Sequence, residues 1–157
     1  MKTSRRRFGT IILLISGCLV LFGALNLFLF FHGPYYFNTS NSMPKGVYVR
    51  TNRPVHEGCL VIVPSSVLLS LGEKLPKYLL KKVLCYHGEI VTINQVGLFL
   101  NSTLIARREI AKGVYYKSAL PPGLVLLVGE SERSFDSRYF GPVRTRDLTE
   151  VRPIMTW

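Results

Sequence analysis

From Ile11 to Phe31 the chain runs 21 residues without a charge. As a helix rising about 1.5 Å per residue, such a run is long enough to cross a hydrocarbon core of ~30 Å. It exceeds the usual apolar stretch of about 7 to 15 residues in a cleaved signal peptide, and no small-x-small cleavage site precedes the polar sequence, so the reading is an uncleaved anchor. Lys2 and Arg5, Arg6 and Arg7 precede it. Arginines there satisfy the positive-inside rule, which also accounts for the loose likeness of Ser4 to Phe8 to a twin-arginine export signal. The expected organisation is a basic cytoplasmic N-terminus over residues 1–10, a transmembrane anchor over 11–31 and an extracytoplasmic domain over 32–157. Tyr35, Tyr36 and Phe37 would form an aromatic belt where the chain leaves the bilayer.

Hydrophobic residues make up 48% of the chain and charged residues 18%, a balance that excludes a disordered polypeptide. Of the 20 Lys and Arg, four precede the span, which leaves 16 against nine Asp and Glu and a formal charge of about +7 on the body. A basic body tethered to a bilayer meets anionic headgroups or simply presents a solvated basic surface, so a lipid bilayer rather than nucleic acid is the expected partner. His32, His56 and His87 are scattered and there is no CxxC, so the residues suggest neither a metal site nor a cofactor. An oxidising compartment would permit Cys59 and Cys85 to pair. Both lie in apolar, strand-like runs, which favours buried thiols.

Beyond the span, short apolar runs alternate with Gly, Pro and Asn: Gly46 to Arg50, Cys59 to Val63, Leu79 to Tyr86, Glu89 to Ile93, Leu98 to Leu100 and Leu124 to Val128. These read as strands, and the Asn94 to Gly97 and Asn101 to Thr103 stretches as hairpin turns. A helical turn is expected at Val67 to Leu71, and another is possible at Leu75 to Leu80, with Gly72 and Pro76 keeping them short. The expected fold is mainly β, a small curved sheet or partly closed barrel carrying one N-terminal transmembrane helix.

Three blocks could carry chemistry. The first is Asn38-Thr39-Ser40-Asn41-Ser42-Met43-Pro44-Lys45-Gly46, whose Ser42 follows the end of the span by only eleven residues. Eleven residues reach at most about 40 Å, so a reaction there acts on substrates near the membrane surface. In the second block Lys81 and Lys82 interrupt an apolar strand. Side chains alternate along a strand, so the two point to opposite faces and at least one ammonium is driven inward; the bland reading is an edge strand defended by lysines. A serine hydroxyl needs a base, and a lysine serves only when burial strips its charge, at a cost on the order of 4 kcal/mol. The third block, Gly129 to Val143, is a dense polar and aromatic loop in which Asp136 and Arg138 read as a bracing ion pair.

Ser-Met-Pro after a span, a lysine-bearing strand ending in Gly88-Glu89, and Ser134-Phe135-Asp136-Ser137-Arg138-Tyr139-Phe140-Gly141 together resemble the type I signal peptidases. Within them the chain is most similar to the TraF-type conjugative transfer peptidases, through Asn38 to Tyr48, Phe135 to Val143 and the Pro153 to Trp157 ending. Cys59 after Gly58, His87, Glu89 and Glu130 depart from the usual family residues without removing a catalytic group. The resemblance implies Ser42 as nucleophile and Lys81 as general base, with Lys82 as the outward-facing neighbour. It also implies an oxyanion hole from the Ser42 N–H and the Ser40 hydroxyl, with Ser134, Asp136 and Arg138 as site support. Met43 and Pro44 are candidates for the substrate cleft. The implied function is a serine endopeptidase that cuts precursor proteins after small residues, a pilin precursor of a conjugation or type IV secretion apparatus in the TraF-like case. Joining of the pilin ends after the cut would be a further step. Two alternatives remain: a general signal peptidase with many exported substrates, and a non-catalytic envelope component that kept the fold, which loss of either dyad residue would mark. Both dyad residues are present.

Overall fold

The structure, a computed structural model, describes residues 2–71, 75–84, 87–110 and 112–157. It divides into two units, residues 1–35 and 36–157. The first is dominated by one helix, α1 (Lys2–His32), in which Ile11–Phe28 has a mean hydropathy of 2.5 and no buried residue, so by length and composition it can cross a membrane. Ser16 and Asn26, the polar residues within that stretch, return their side-chain hydrogens to the helix's own carbonyls at Leu13 and Phe22. That removes the need for water around them.

The body is mainly β, built as two antiparallel sheets, and among the described residues neither closes into a barrel. The larger has seven strands in the order β1 (Tyr35–Asn38), β2 (Gly46–Arg50), β11 (Thr149–Thr156), β3 (Leu60–Pro64), β4 (Tyr78–Leu84), β9 (Leu124–Val128) and β10 (Val143–Arg144). The smaller has the order β7 (Thr103–Arg107), β6 (Gly97–Leu100), β5 (Ile90–Ile93) and β8 (Tyr116–Ala119). Val61, Val63, Val83, Val125, Leu127 and Val143 form a core against the larger sheet, and Val91, Ile93, Leu98, Leu100, Leu120 and Leu126 form a second one shared with the smaller. These are the β-branched and aliphatic residues of the apolar runs, which suit a pleated, half-buried surface.

The six strand runs read from the sequence are all present, two of them to the residue and the others with ends moved by one, apart from the far end of the Leu79 to Tyr86 run, which lies outside the described residues. The helical turn at Val67 to Leu71 is a 3-10 helix, Ser65–Leu71. The possible turn at Leu75 to Leu80 is not helical. Strand β4 starts at Tyr78, which pairs with Pro64, and ladder bonds to β3 win over the weak local helical pattern. Gly72, Cys85 and Tyr86 lie outside the described residues, and with Cys85 so does the question of a Cys59 to Cys85 disulfide. Tyr35, Tyr36 and Phe37 form strand β1.

Candidate active site

Lys81 lies in β4, which is flanked by β3 on one side and β9 on the other, with Val61 opposite Lys81 and Val128 opposite Lys82. A strand paired on both edges needs no lysine to guard it. Leu80 and Lys81 are both buried, so both faces of the sheet are covered here, while Lys82 is exposed. Lys81 retains 1% of its accessible surface. Burial pushes its amine down from the ordinary 10.5 to about 8; the Asp136 charge works against that fall and Arg138 adds to it. A shift of that size costs about 3 kcal/mol in folding. The cost is fully felt below pH 8, where both folded and unfolded forms are protonated, and is released as the pH rises toward 10.5.

The amine ends between two hydroxyls. Lys81 Nζ lies 2.9 Å from Ser42 Oγ, a residue 39 positions away, and 2.9 Å from Ser134 Oγ. Ser42 Oγ is in turn 3.0 Å from Ser40 Oγ. The structure therefore brings Ser40, Ser42, Lys81 and Ser134, drawn from three distant blocks, into one hydrogen-bonded row. Glu130 N donates to Ser42 O at 2.8 Å, which fixes the main chain of the serine against the end of β9. Gly129, next to it, has no room for a side chain: a Cβ there would meet Ser134 Cβ at 2.6 Å and Ser42 O at 2.8 Å.

Asp136 and Arg138 brace this row from behind. Asp136 is fully buried and caps the short helix α2 (Ser137–Phe140), accepting from Arg138 N at 3.1 Å. It also accepts from Gly129 N at 2.9 Å and from Arg138 Nε and Nη2 at 2.8 and 2.7 Å. The same guanidinium donates to the carbonyls of Ser131, Glu132, Ser134 and Arg107, so every one of its nitrogens is engaged. Burial opposes the Arg138 charge, but the hydrogen bond and charge of Asp136 outweigh it and hold the group above its ordinary value. The loop carrying Ser134 is thus knotted around one buried ion pair, as a paired buried charge requires.

Neither Met43 nor Pro44 lines the groove that Ser40 borders. Met43, 3% exposed, packs with Tyr48, Ile62, Leu80 and Val151. Pro44 is exposed, and its carbonyl accepts from Asn38 Nδ2 and the Tyr48 hydroxyl. That groove, of about 260 Å³, runs between Phe37–Ser40 and Pro76–Leu80, with Ser40 on its wall. Three residues that shape the site were given no role by sequence reasoning: Asn38, Gly129 and Tyr78, whose hydroxyl bridges the N–H and C=O of Phe37 at 2.9 and 3.1 Å. An Asn two residues before a serine is a local turn signal and was the one visible hint. Among the described residues no three His, Cys, Asp or Glu side chains group as metal ligands.

The chain belongs to the family described as signal peptidase, peptidase S26, which it matches over residues 7–157. It is 32% identical over 145 residues to a plasmid transfer protein TraF of Escherichia coli, covering 76% of this chain and 82% of that one. A second Escherichia coli plasmid transfer protein TraF is 28% identical over the same length and coverage. Among solved structures, a signal peptidase I of Enterococcus faecalis V583 aligns with a TM-score of 0.38 at 18% identity, over 68% of this chain and all of that one.

Proposed function

We propose that this peptidase is a membrane-anchored serine endopeptidase in which Ser42 is the nucleophile and Lys81 the general base. The observation that carries the reading is the 2.9 Å separation of Lys81 Nζ from Ser42 Oγ on a lysine with 1% of its surface exposed. A neutral amine accepts the Ser42 proton as Oγ bonds to the scissile carbonyl carbon. The oxygen that becomes negative is held by the Ser42 N–H and the Ser40 hydroxyl, a pair in which each donor is worth about 3 kcal/mol. The Lys81 ammonium then gives its proton to the leaving amine as the C–N bond breaks, which leaves Ser42 acylated. Water attacks the ester, Lys81 takes its proton, and Ser42 Oγ leaves with that proton returned to it. Ser134 accepts from Lys81 throughout and keeps the amine aimed, and Asp136 with Arg138 keeps Ser134 in place.

On this reading residues 1–10 are cytoplasmic, 11–31 span the inner membrane and 32–157 work at its outer face, since Lys2 and Arg5 to Arg7 precede the span. The substrate is then a precursor polypeptide emerging from the bilayer. Similarity to two plasmid transfer proteins favours a pilin-like precursor of a conjugation or secretion apparatus, while the family description favours signal peptides of exported proteins at large. Comparing envelope and secreted proteins by mass spectrometry from cells with and without the protein tests both. One uncut pilin-like precursor is expected in its absence. Many uncut exported precursors would replace the first reading by the second, and no uncut precursor at all would remove the endopeptidase assignment.

A further inference from the structure

We propose that Asn38 is a positioning residue that sets the Ser40 hydroxyl, and through it the oxyanion site; this rests on the reading of Ser40 as an oxyanion donor. Asn38 ends β1 with 7% of its surface exposed, and its carboxamide is used on both sides. Nδ2 donates to Met43 O at 2.9 Å, Pro44 O at 3.0 Å and Ser40 O at 3.2 Å. Three carbonyls around one atom admit only the donor there, so the amide orientation is fixed and Oδ1 faces Ser40. Oδ1 then accepts from Ser40 Oγ at 2.8 Å and from Ser40 N at 3.3 Å.

A hydroxyl has a freely rotating hydrogen, and a rotor is a poor electrostatic device unless something holds it. Oδ1 can only accept, so the Ser40 hydrogen rests on Asn38 and the oxygen is pinned 3.0 Å from Ser42 Oγ. A single turn about the Cβ–Oγ bond carries the hydrogen from Oδ1 to a substrate oxygen, with the Ser40 oxygen already in place. The three carbonyl bonds have a second consequence. They tie Ser40 and the Met43–Pro44 segment to one amide, so the two sides of Ser42 cannot move independently of the donor beside it.

The test is a double-mutant cycle on the full chain in detergent, with a fluorogenic peptide bearing alanine before the scissile bond as the probe. Ser40→Ala is expected to lower kcat on the order of 100-fold. Asn38→Ala is expected to lower kcat at least about tenfold with KM nearly unchanged, and the double variant to be slowed by much less than the product of the two factors, because both act mainly through one hydroxyl. Asn38→Gln, which keeps an amide donor and acceptor but moves the oxygen that holds the Ser40 hydrogen by one methylene, should likewise lose kcat, and lose little further in the Ser40→Ala background. A double variant slowed by the product of the two factors would overturn the proposal, as would a rise in KM at unchanged kcat. Failure of both Asn38 variants to resist trypsin would overturn it in favour of a purely architectural role. A Ser40→Ala enzyme with full kcat would be a different result, removing the oxyanion reading itself and the proposal with it.

Discussion

Ser42→Ala and Lys81→Met are each expected to lower turnover of a precursor by at least about 10⁴-fold, because residues that act as one unit lose nearly everything when either is removed. The two should differ in stability. Lys81 is buried at a cost of about 3 kcal/mol, and methionine fills a similar volume without a charge. Lys81→Met should therefore melt at or above the wild-type temperature at pH 7, although Ser42 and Ser134 lose a hydrogen-bond partner. Since the folded-state value is lowered to about 8, wild-type stability should gain on the variant as the pH rises from 8 toward 10.5. Gel-shift cleavage assays and thermal melts over that range check both halves. Equal activity in either variant would remove the dyad, and a Lys81→Met protein that melts far lower would make the lysine a structural asset instead of a cost.

Arg138→Met is expected to be the most damaging single change to the fold. It leaves the fully buried Asp136 carboxylate with only backbone donors, and removes a donor from the carbonyls of Arg107, Ser131, Glu132 and Ser134, of which Ser131 O keeps Ser134 N. Breaking a buried pair from one side costs about 3–5 kcal/mol, a large share of the ~5–15 kcal/mol that holds a domain together. A melting temperature lower by roughly 10–20 °C follows for a body of this size. Arg138→Lys restores charge but not the planar fork, and should recover only part of the loss. Melts of the three proteins decide it: an unchanged midpoint in Arg138→Met would mean the ion pair is decoration.

The parts of this architecture that were legible in the sequence are those written in local pattern. Ile11 to Phe31 announces its helix by length alone, and strands β2 and β9 were readable to the residue because Gly and Pro bound them. Strand β11, the longest among the described residues, was not read, since Arg152 and Pro153 interrupt its pattern. Pro153 is tolerated because the β3 ladder ends at Val151 and the β2 ladder shifts register between Pro153 and Met155. Strand β7 was hidden behind its own turn: Asn101 and Ser102, with φ of 45° and 72°, complete the reversal, and Thr103 already belongs to the strand. In the site, family resemblance rather than periodicity singled out Ser42 and Lys81. Their 2.9 Å meeting is a product of tertiary pairing across 39 residues and leaves no trace in local spacing. Gly129 escaped for the same reason, as Ser42 is brought to it by tertiary pairing, whereas the partners of Asn38 lie within six residues and left the turn signal as their trace.

The pH dependence of kcat/KM for the full chain reports whether the Lys81 amine loses its proton near pH 8 and takes the one on Ser42. The rate is expected to climb about tenfold per pH unit on the acid side and to level off around pH 8, where the buried amine becomes neutral. A profile flat from pH 6 to 9, or one still climbing toward the 10.5 of an ordinary lysine, would contradict it.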